Sequence, residues 1–236
     1  MRVINSHVHV GPSIALGINI SPEDVELEME SAGVSECLVF PFPSWAAQNS
    51  RVNSWIYELC TQHDSFHPVF YARDNLEIPE FRYVAVKWHW VRGVSDSRSN
   101  YDVFNDEKLD EFVEEVTKQN LPLIFEEEFE FTKIFVDRFE DASLIIPHLG
   151  ALGGSPHEFL NEFENFDNVY FDTSLSSVRT LQEFVDRVGE RRIIFGSDLP
   201  FSTMKIELDK VMRIETGERE REMILRKNIE RLCNLR

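Results

Sequence analysis

Val3-Ile4-Asn5-Ser6-His7-Val8-His9-Val10 lies at the start of the chain and reads as a β-strand. Successive side chains of a strand alternate between its faces, so His7 and His9 point the same way and two imidazoles there can chelate one ion. Downstream, short β-rich runs alternate with amphipathic helical stretches. The pattern predicts a helix over 22–32, with Ser21 as cap, Pro22 at the first helical position and Glu23 and Asp24 in the first turn. It predicts further strands at 37–40, 67–72, 83–90, 121–125, 144–147, 169–172 and 192–195. Helices fall at 53–62, 106–119, 132–140, 178–188 and 218–233. That over 106–119 sets Leu109, Phe112, Val113 and Val116 on one face.

Eight short apolar strands separated by helices or helix-length connections indicate parallel β-α units. A closed (β/α)8 TIM barrel uses that count in about that length. An open doubly wound α/β sheet is the alternative, but the Gly-rich phosphate loop that usually follows its first strand is absent here. No repeat, low-complexity tract or linker divides the chain, so residues 1–236 are expected to form a single domain.

With 42 acidic against 24 basic residues, the formal net charge is −18. Such a field repels nucleic acid and anionic lipid and argues against a nuclease, which wants a basic groove. No apolar stretch approaches the roughly 20 residues of a membrane-spanning helix, and a strand-like run stands where a signal peptide would be. Cys37, Cys60 and Cys233 form neither a CxxC pair nor a disulfide framework, and a cytoplasmic protein is expected. Nineteen Phe against five Tyr suggest a core of apolar aromatics.

The unusual polar residues fall at strand ends. Strand one carries His7 and His9, strand three runs into Arg73, strand four carries Lys87 and His89, strand five runs into Glu126, strand six ends in His148 and strand eight leads to Asp198. In a parallel barrel, catalytic groups gather at the C-terminal ends of the strands. A lone His-x-His pair is also explained by core packing. However, strands one and eight are neighbours in a closed barrel, so His7, His9 and Asp198 would meet. Asp198 is either a turn former before Pro200 or a metal ligand that also accepts a proton. His148 is a capping or core histidine, or else a ligand or acid/base group.

Four segments together resemble the amidohydrolase superfamily and, within it, the amidohydrolase-2 (aminocarboxymuconate semialdehyde decarboxylase-like) group. They are Ile4-Asn5-Ser6-His7-Val8-His9-Val10-Gly11, Ile146-Pro147-His148-Leu149-Gly150, Phe195-Gly196-Ser197-Asp198-Leu199-Pro200, and Ile224 through Leu232 with Asn228 after the Ile-Leu pair. The likeness spans nearly the whole chain. It implies a divalent metal, usually zinc (Zn2+), held by His7, His9, Asp198 and a strand-five histidine, with His148 as the acid/base group.

The departure is on strand five. The family has a Pro, three apolar residues and a His, whereas this chain has Pro122-Leu123-Ile124-Phe125 and then Glu126. A carboxylate can replace an imidazole on zinc, or on manganese (Mn2+), which favours oxygen more. Glu126 is therefore the expected ligand. The rival readings are Glu128 in that role, or a solvated loop over 126–128.

Lys87 and His89 share a face on strand four and, with Arg73, are expected to bind the substrate. Lys87 is read as a cation for a substrate carboxylate, or else as a carbamylated bridge between two metals. His63 and His67 are read as surface or packing residues, and His157 as a loop residue after strand six with a candidate lid role. The expected activity is a metal-dependent hydrolase acting on a small carboxylated or cyclic amide, lactone or ester. A non-oxidative decarboxylase of the same fold, and a degenerate barrel that binds a metabolite or partner, are the alternatives. Relatives often form homodimers, a property no feature of this sequence carries.

Overall fold

The computed structural model describes residues 2–80, 82–93 and 98–235. Its eight parallel strands follow one another round the sheet in chain order. They are β1 (Ile4–His9), β2 (Glu36–Phe40), β3 (Phe66–Tyr71), β4 (Ala85–His89), β5 (Leu123–Glu126), β6 (Leu144–Ile146), β7 (Val169–Asp172) and β8 (Ile193–Ile194). Helices lie between successive strands except β3 and β4, which are joined by a connection without a helix among the described residues. The two ends of the sheet meet through main-chain bonds: Ser6 N donates to Phe195 O (2.9 Å), Asp198 N to His7 O (2.8 Å) and His9 N to Leu199 O (3.0 Å). The result is a (β/α)8 barrel with β1 beside β8, and the open-sheet alternative is set aside.

Strand pleating separates two apolar layers. Val86, Trp88, Leu123, Phe125 and Phe171 face outward beneath the helices. Trp88 and Phe125 stack there with ring centroids 5.5 Å apart, and Phe112 and Phe135 pack on them. Each such ring contributes about 1.5–3 kcal/mol by leaving water. Leu38, Val69, Ala85, Ile124, Ile145, Tyr170 and Ile194 face inward, where Ile229 of the last helix and Cys233 just after it pack on them. One pleat further along the strands the same inward row becomes polar, with Lys87, Glu126 and Asp172, all buried. The barrel thus has an apolar floor and a charged mouth at the strand C-termini.

Several elements differ from the sequence expectation. The last helix is not continuous over 218–233: Glu218–Glu222 passes through a π-turn, Met223–Lys227, into Asn228–Leu232. Ile224 O accepts from Phe195 N (3.0 Å), while Asn228 Nδ2 donates to Glu190 O and Ile193 O, both at 2.7 Å. These bonds tie the closing helix to β8, which is correspondingly short. Helices Met204–Arg213 and Pro156–Phe163, and the hairpin Gly11–Ser13 with Ile18–Ile20, add to the predicted elements. Among the described residues, no helix is long and apolar enough to cross a membrane.

Candidate metal centre

The site is assembled from strand ends by backbone that few residues tolerate. His148 (φ +57°) and Asp198 (φ +57°) lie in the left-handed region, as do Trp90 (φ +44°) after β4 and Leu175 (φ +54°) after β7. Each such residue costs about 1–3 kcal/mol, and such strain concentrates at functional sites. A bulge between Asn5 and Val8 lifts the register of β1 against β2. Asn5 spans the seam: its Oδ1 accepts from His7 N (3.1 Å) and Ser197 N (3.0 Å), and its Nδ2 donates to Ser197 Oγ (2.7 Å). The two segments that pointed to one site are therefore joined by side-chain as well as main-chain bonds.

All three imidazoles are oriented in the same way. His7 Nδ1 faces Asp172 Oδ2 (3.1 Å), His9 Nδ1 faces Pro41 O (3.3 Å) and His148 Nδ1 faces Ser174 Oγ (2.8 Å). Ser174 in turn donates to Asp172 Oδ1. Pro41 O and the Asp172 carboxylate only accept, and the Ser174 proton is committed to Asp172, so each Nδ1 carries the hydrogen. Each Nε2 then presents a lone pair, the arrangement that supports ligating histidines. His7 Nε2 and His9 Nε2 lie 3.2 and 3.3 Å from Asp198 Oδ1, and His148 Nε2 lies 3.8 Å from Asp198 Oδ2. Donor atoms of His7, His148 and Asp198 fall within 4.8 Å of one another.

Of the acidic run at 126–128, Glu126 alone faces this cluster. Its Oε1 lies 3.7 Å from His89 Nε2 and 3.9 Å from His148 Nε2. Glu127 is turned outward and accepts from Trp88 Nε1 (2.9 Å) and Ser99 Oγ (2.6 Å), while Glu128 accepts from Ser99 N (2.8 Å). The readings of Glu128 as donor and of a solvated loop are corrected accordingly.

Lys87 also requires correction. It is fully buried, and its Nζ lies 2.6 Å from Glu126 Oε2, below the cavity rather than in it. A residue two positions deeper than His89 on β4 meets the strand-five carboxylate and not a ligand in the mouth. Arg73 lies outside the cluster too and lines a neighbouring cavity, with His89 on the shared wall. His157 sits on helix Pro156–Phe163, with Nδ1 3.3 Å from Glu183. His63 and His67 pair with Glu26 and Glu36, each at 2.7 Å, as packing residues.

Asp172, Ser174 and Asn5 were not singled out in the sequence. Asp172 was signalled only by being a carboxylate at the end of a strand. Its carboxylate is shut in by Gly196, where an added Cβ would stand 2.1 Å from Asp172 Oδ2.

The donor set fits a divalent cation on two counts. His7 Nε2 is buried without a hydrogen-bond partner. In addition, Glu126, Asp172 and Asp198 set three carboxylates against the single ammonium of Lys87 in a buried pocket. Two uncompensated negative charges there are expensive unless a cation balances them. The cavity above the cluster holds about 440 Å³, with His9, His89, Glu126, His148 and Asp198 below a half-exposed apolar rim of Leu16, Leu152, Leu175 and Phe201.

Fold and site define a (β/α)8 barrel with a histidine–carboxylate centre at its strand C-termini. An amidohydrolase family model matches residues 76–235, 160 of the 236, and the chain belongs to the amidohydrolase family. No curated protein matches the sequence. Among solved structures the chain is similar to an amidohydrolase from Burkholderia multivorans with bound zinc, at 14% identity, 100% of both chains and TM-score 0.79. It is also similar to a dihydroxybenzoic acid decarboxylase from Polaromonas sp. JS666 with bound manganese and the inhibitor 2-nitroresorcinol, at 16% identity, 99% of this chain, 97% of that one and TM-score 0.71. A probable 2-pyrone-4,6-dicarboxylic acid hydrolase from Acinetobacter baumannii, with citric acid bound, matches at 14% identity, 99% and 100% coverage and TM-score 0.74. At these identities the likeness shows the fold.

Proposed function

We propose that this protein is a divalent-metal-dependent enzyme that hydrolyses a small carboxylated or cyclic amide, lactone or ester. The observation that carries the reading is the set of three imidazoles, each with Nδ1 engaged, whose Nε2 atoms surround the Asp198 carboxylate. His7, His9, Glu126 and Asp198 would hold the ion, the nitrogen donors suiting zinc and the two carboxylates suiting manganese. A divalent ion held there supplies Lewis acidity and brings the pKa of a water toward neutrality. His148, its ring fixed through Ser174 and Asp172, takes and returns a proton at Nε2. Asp198 Oδ2, 3.8 Å from His148 Nε2, is the other proton acceptor within reach of the same point. His89 lines the cavity beside Glu126 and meets the substrate.

Non-oxidative decarboxylation is the second reading, supported by the similarity to the manganese-containing decarboxylase, since both reactions use the same donors. Incubating metal-loaded protein with lactones and esters, and separately with hydroxylated aryl carboxylates, tests the two. The proposal expects ring opening or ester cleavage that a chelator abolishes. Release of carbon dioxide without any hydrolysis would move the assignment to the second reading.

Two further outcomes follow from the same network. Gly196→Ala drives a Cβ into Asp172 and is expected to weaken divalent-metal affinity roughly 10–100-fold, as loss of a ligand-orienting partner does. Competition against a chromophoric chelator measures it, and unchanged affinity would contradict the role given to Asp172.

The second outcome is a pH dependence. Burial, with Lys87 nearby, pushes the His7 imidazole below its ordinary value against the pull of Asp198 and Asp172. Its contribution to stability is therefore full above the unfolded value, about 6.5, and is lost as pH falls. Burial opposes the ionised forms of Asp172, Asp198 and Glu126, yet His7 beside the first two and Lys87 beside the third hold them below the ordinary carboxylate range. They extend the loss below about pH 4. Chelator-treated protein should unfold at steadily lower temperature from pH 7.5 to 4, by about 2–4 °C per kcal/mol. A midpoint that rises on acidification would contradict the assignment.

A further inference from the structure

The cavity above the donors is acidic at its base and apolar at its rim. Glu126 and Asp198 line it, whereas no lysine or arginine does so among the described residues. Lys87 lies beneath, bonded to Glu126, and Arg73 lines the neighbouring cavity. With Asp172 behind His7, three buried carboxylates face one ammonium. A divalent ion raises that total to neutrality and no further. The site therefore has no surplus of positive charge to hold an anionic group on a substrate. In a chain of net charge −18 the wider field repels one as well.

The rim is built to meet something apolar. Leu16, Leu152, Leu175 and Phe201 stand round the opening with 39–56% of their surface exposed. Single exposed apolar side chains are ordinary, but several round one opening form a binding patch. Leu175 is the most telling of them. Its backbone is left-handed (φ +54°), where glycine or asparagine is favoured and a large side chain is strained. A half-exposed leucine there is unfavourable both to the backbone and to the surface, so the fold gains nothing from it. The rim is also held in place: Leu16 N donates to Ser13 Oγ (3.3 Å), Leu175 N to Glu207 Oε2 (3.2 Å) and Phe201 N to Asp198 O (2.8 Å). The apolar surface runs down to the donors, since Phe42 stacks on the His9 ring (centroids 4.8 Å apart) and Phe201 meets it edge-on (5.9 Å).

We infer that the substrate is electrically neutral away from the reacting bond and carries an alkyl or aryl body that this rim takes out of water. Among the substrates proposed above, that selects an uncharged lactone or ester over a carboxylated one. In its hydrolysis the water oxygen joins the acyl carbon and the acyl C–O bond breaks. The departing oxygen takes one proton of the water as the alcohol, and the acid releases the other. Which bond breaks rests on the proposed function; recognition of the apolar body does not.

The test is NMR titration of wild type and Leu175→Asn with 2-alkylcyclopentanones from ethyl to hexyl, which keep a ring carbonyl but offer no bond to hydrolyse. Each is paired with the counterpart whose chain ends in a carboxylate. Metal content and hydrolysis of the matching alkyl lactones are measured on the same samples. Each added methylene is expected to tighten binding about two- to fourfold, so that hexyl outbinds ethyl by roughly tenfold or more. The long neutral ligands should outbind their carboxylates by roughly the same factor. Leu175→Asn suits the left-handed backbone, so it should fold at least as well while lowering the hexyl-to-ethyl ratio severalfold. The inference is overturned if no member binds, if the carboxylates bind as tightly as the neutral ligands, or if Leu175→Asn keeps the full ratio. Metal-loaded protein that cleaves lactones of every chain length and charge alike counts against this inference alone. Protein that takes up no metal and cleaves nothing, yet keeps a Leu175-dependent preference for long neutral chains, upholds it and counts against the proposed function alone.

Discussion

Replacing Asp198 with asparagine is expected to lower kcat/KM roughly 10^2–10^4-fold, the range for loss of a positioned proton acceptor, and to weaken metal retention as well. Oδ1 of this residue faces the Nε2 atoms of both His7 and His9, and Oδ2 faces that of His148. Asparagine keeps the shape, and it tolerates the left-handed backbone at φ +57° better than most residues. The main-chain bonds from Asp198 N to His7 O and from Phe201 N to Asp198 O are also untouched by the change. The loss should therefore be chemical, with little change in the thermal midpoint. Activity on whichever of the lactones, esters or aryl carboxylates the wild type turns over, read beside metal content after dialysis, checks it. Full activity in this variant would remove Asp198 from the reaction.

Glu126→Ala has the largest expected effect on stability. It leaves the fully buried Lys87 ammonium without its partner at 2.6 Å, and breaking a buried pair in this way costs about 3–5 kcal/mol. For a domain of this size that lowers the thermal midpoint by roughly 6–20 °C. Removing both charges in Lys87→Met/Glu126→Ala should recover most of the loss, because the desolvation of the lone cation goes with it. The double variant separates two roles of Glu126: stability returns, whereas metal affinity stays reduced because a donor is still missing. A double variant as unstable as the single one would show that Lys87 and Glu126 are not coupled. Unchanged metal content in either would place the fourth donor elsewhere.

The barrel and the core of the site were legible because period-two patterning fixes which residues share a face, and strand order fixes which ends are neighbours. His7, His9, His148 and Asp198 do come together at one end of the barrel, as that order predicts. What escaped depends on relations between strands. Lys87 and His89 do share a face, but the registry of β4 on β5, with His89 opposite Glu126 and Lys87 opposite Ile124, sets Lys87 a layer too deep to touch a ligand. Asp172 and Ser174 act by orienting other residues, and nothing local in Phe171-Asp172-Thr173-Ser174 marks that role. Arg73 falls two residues past the end of β3 at Tyr71, where the loops after β3 and β4 give it a separate cavity. The π-turn at Met223–Lys227 is likewise a tertiary effect, drawn out by the Phe195 amide rather than by its own residues.

The central claim is that the strand-end donors hold a divalent ion, and metal analysis of protein purified without chelator tests it most directly. About one equivalent of zinc or manganese per chain is predicted, lost on chelation and regained on reconstitution. Anomalous scattering from crystals of the loaded protein should put that ion among His7, His9, Glu126 and Asp198. Less than about a tenth of an equivalent of any transition metal, with none taken up on reconstitution, would contradict the account.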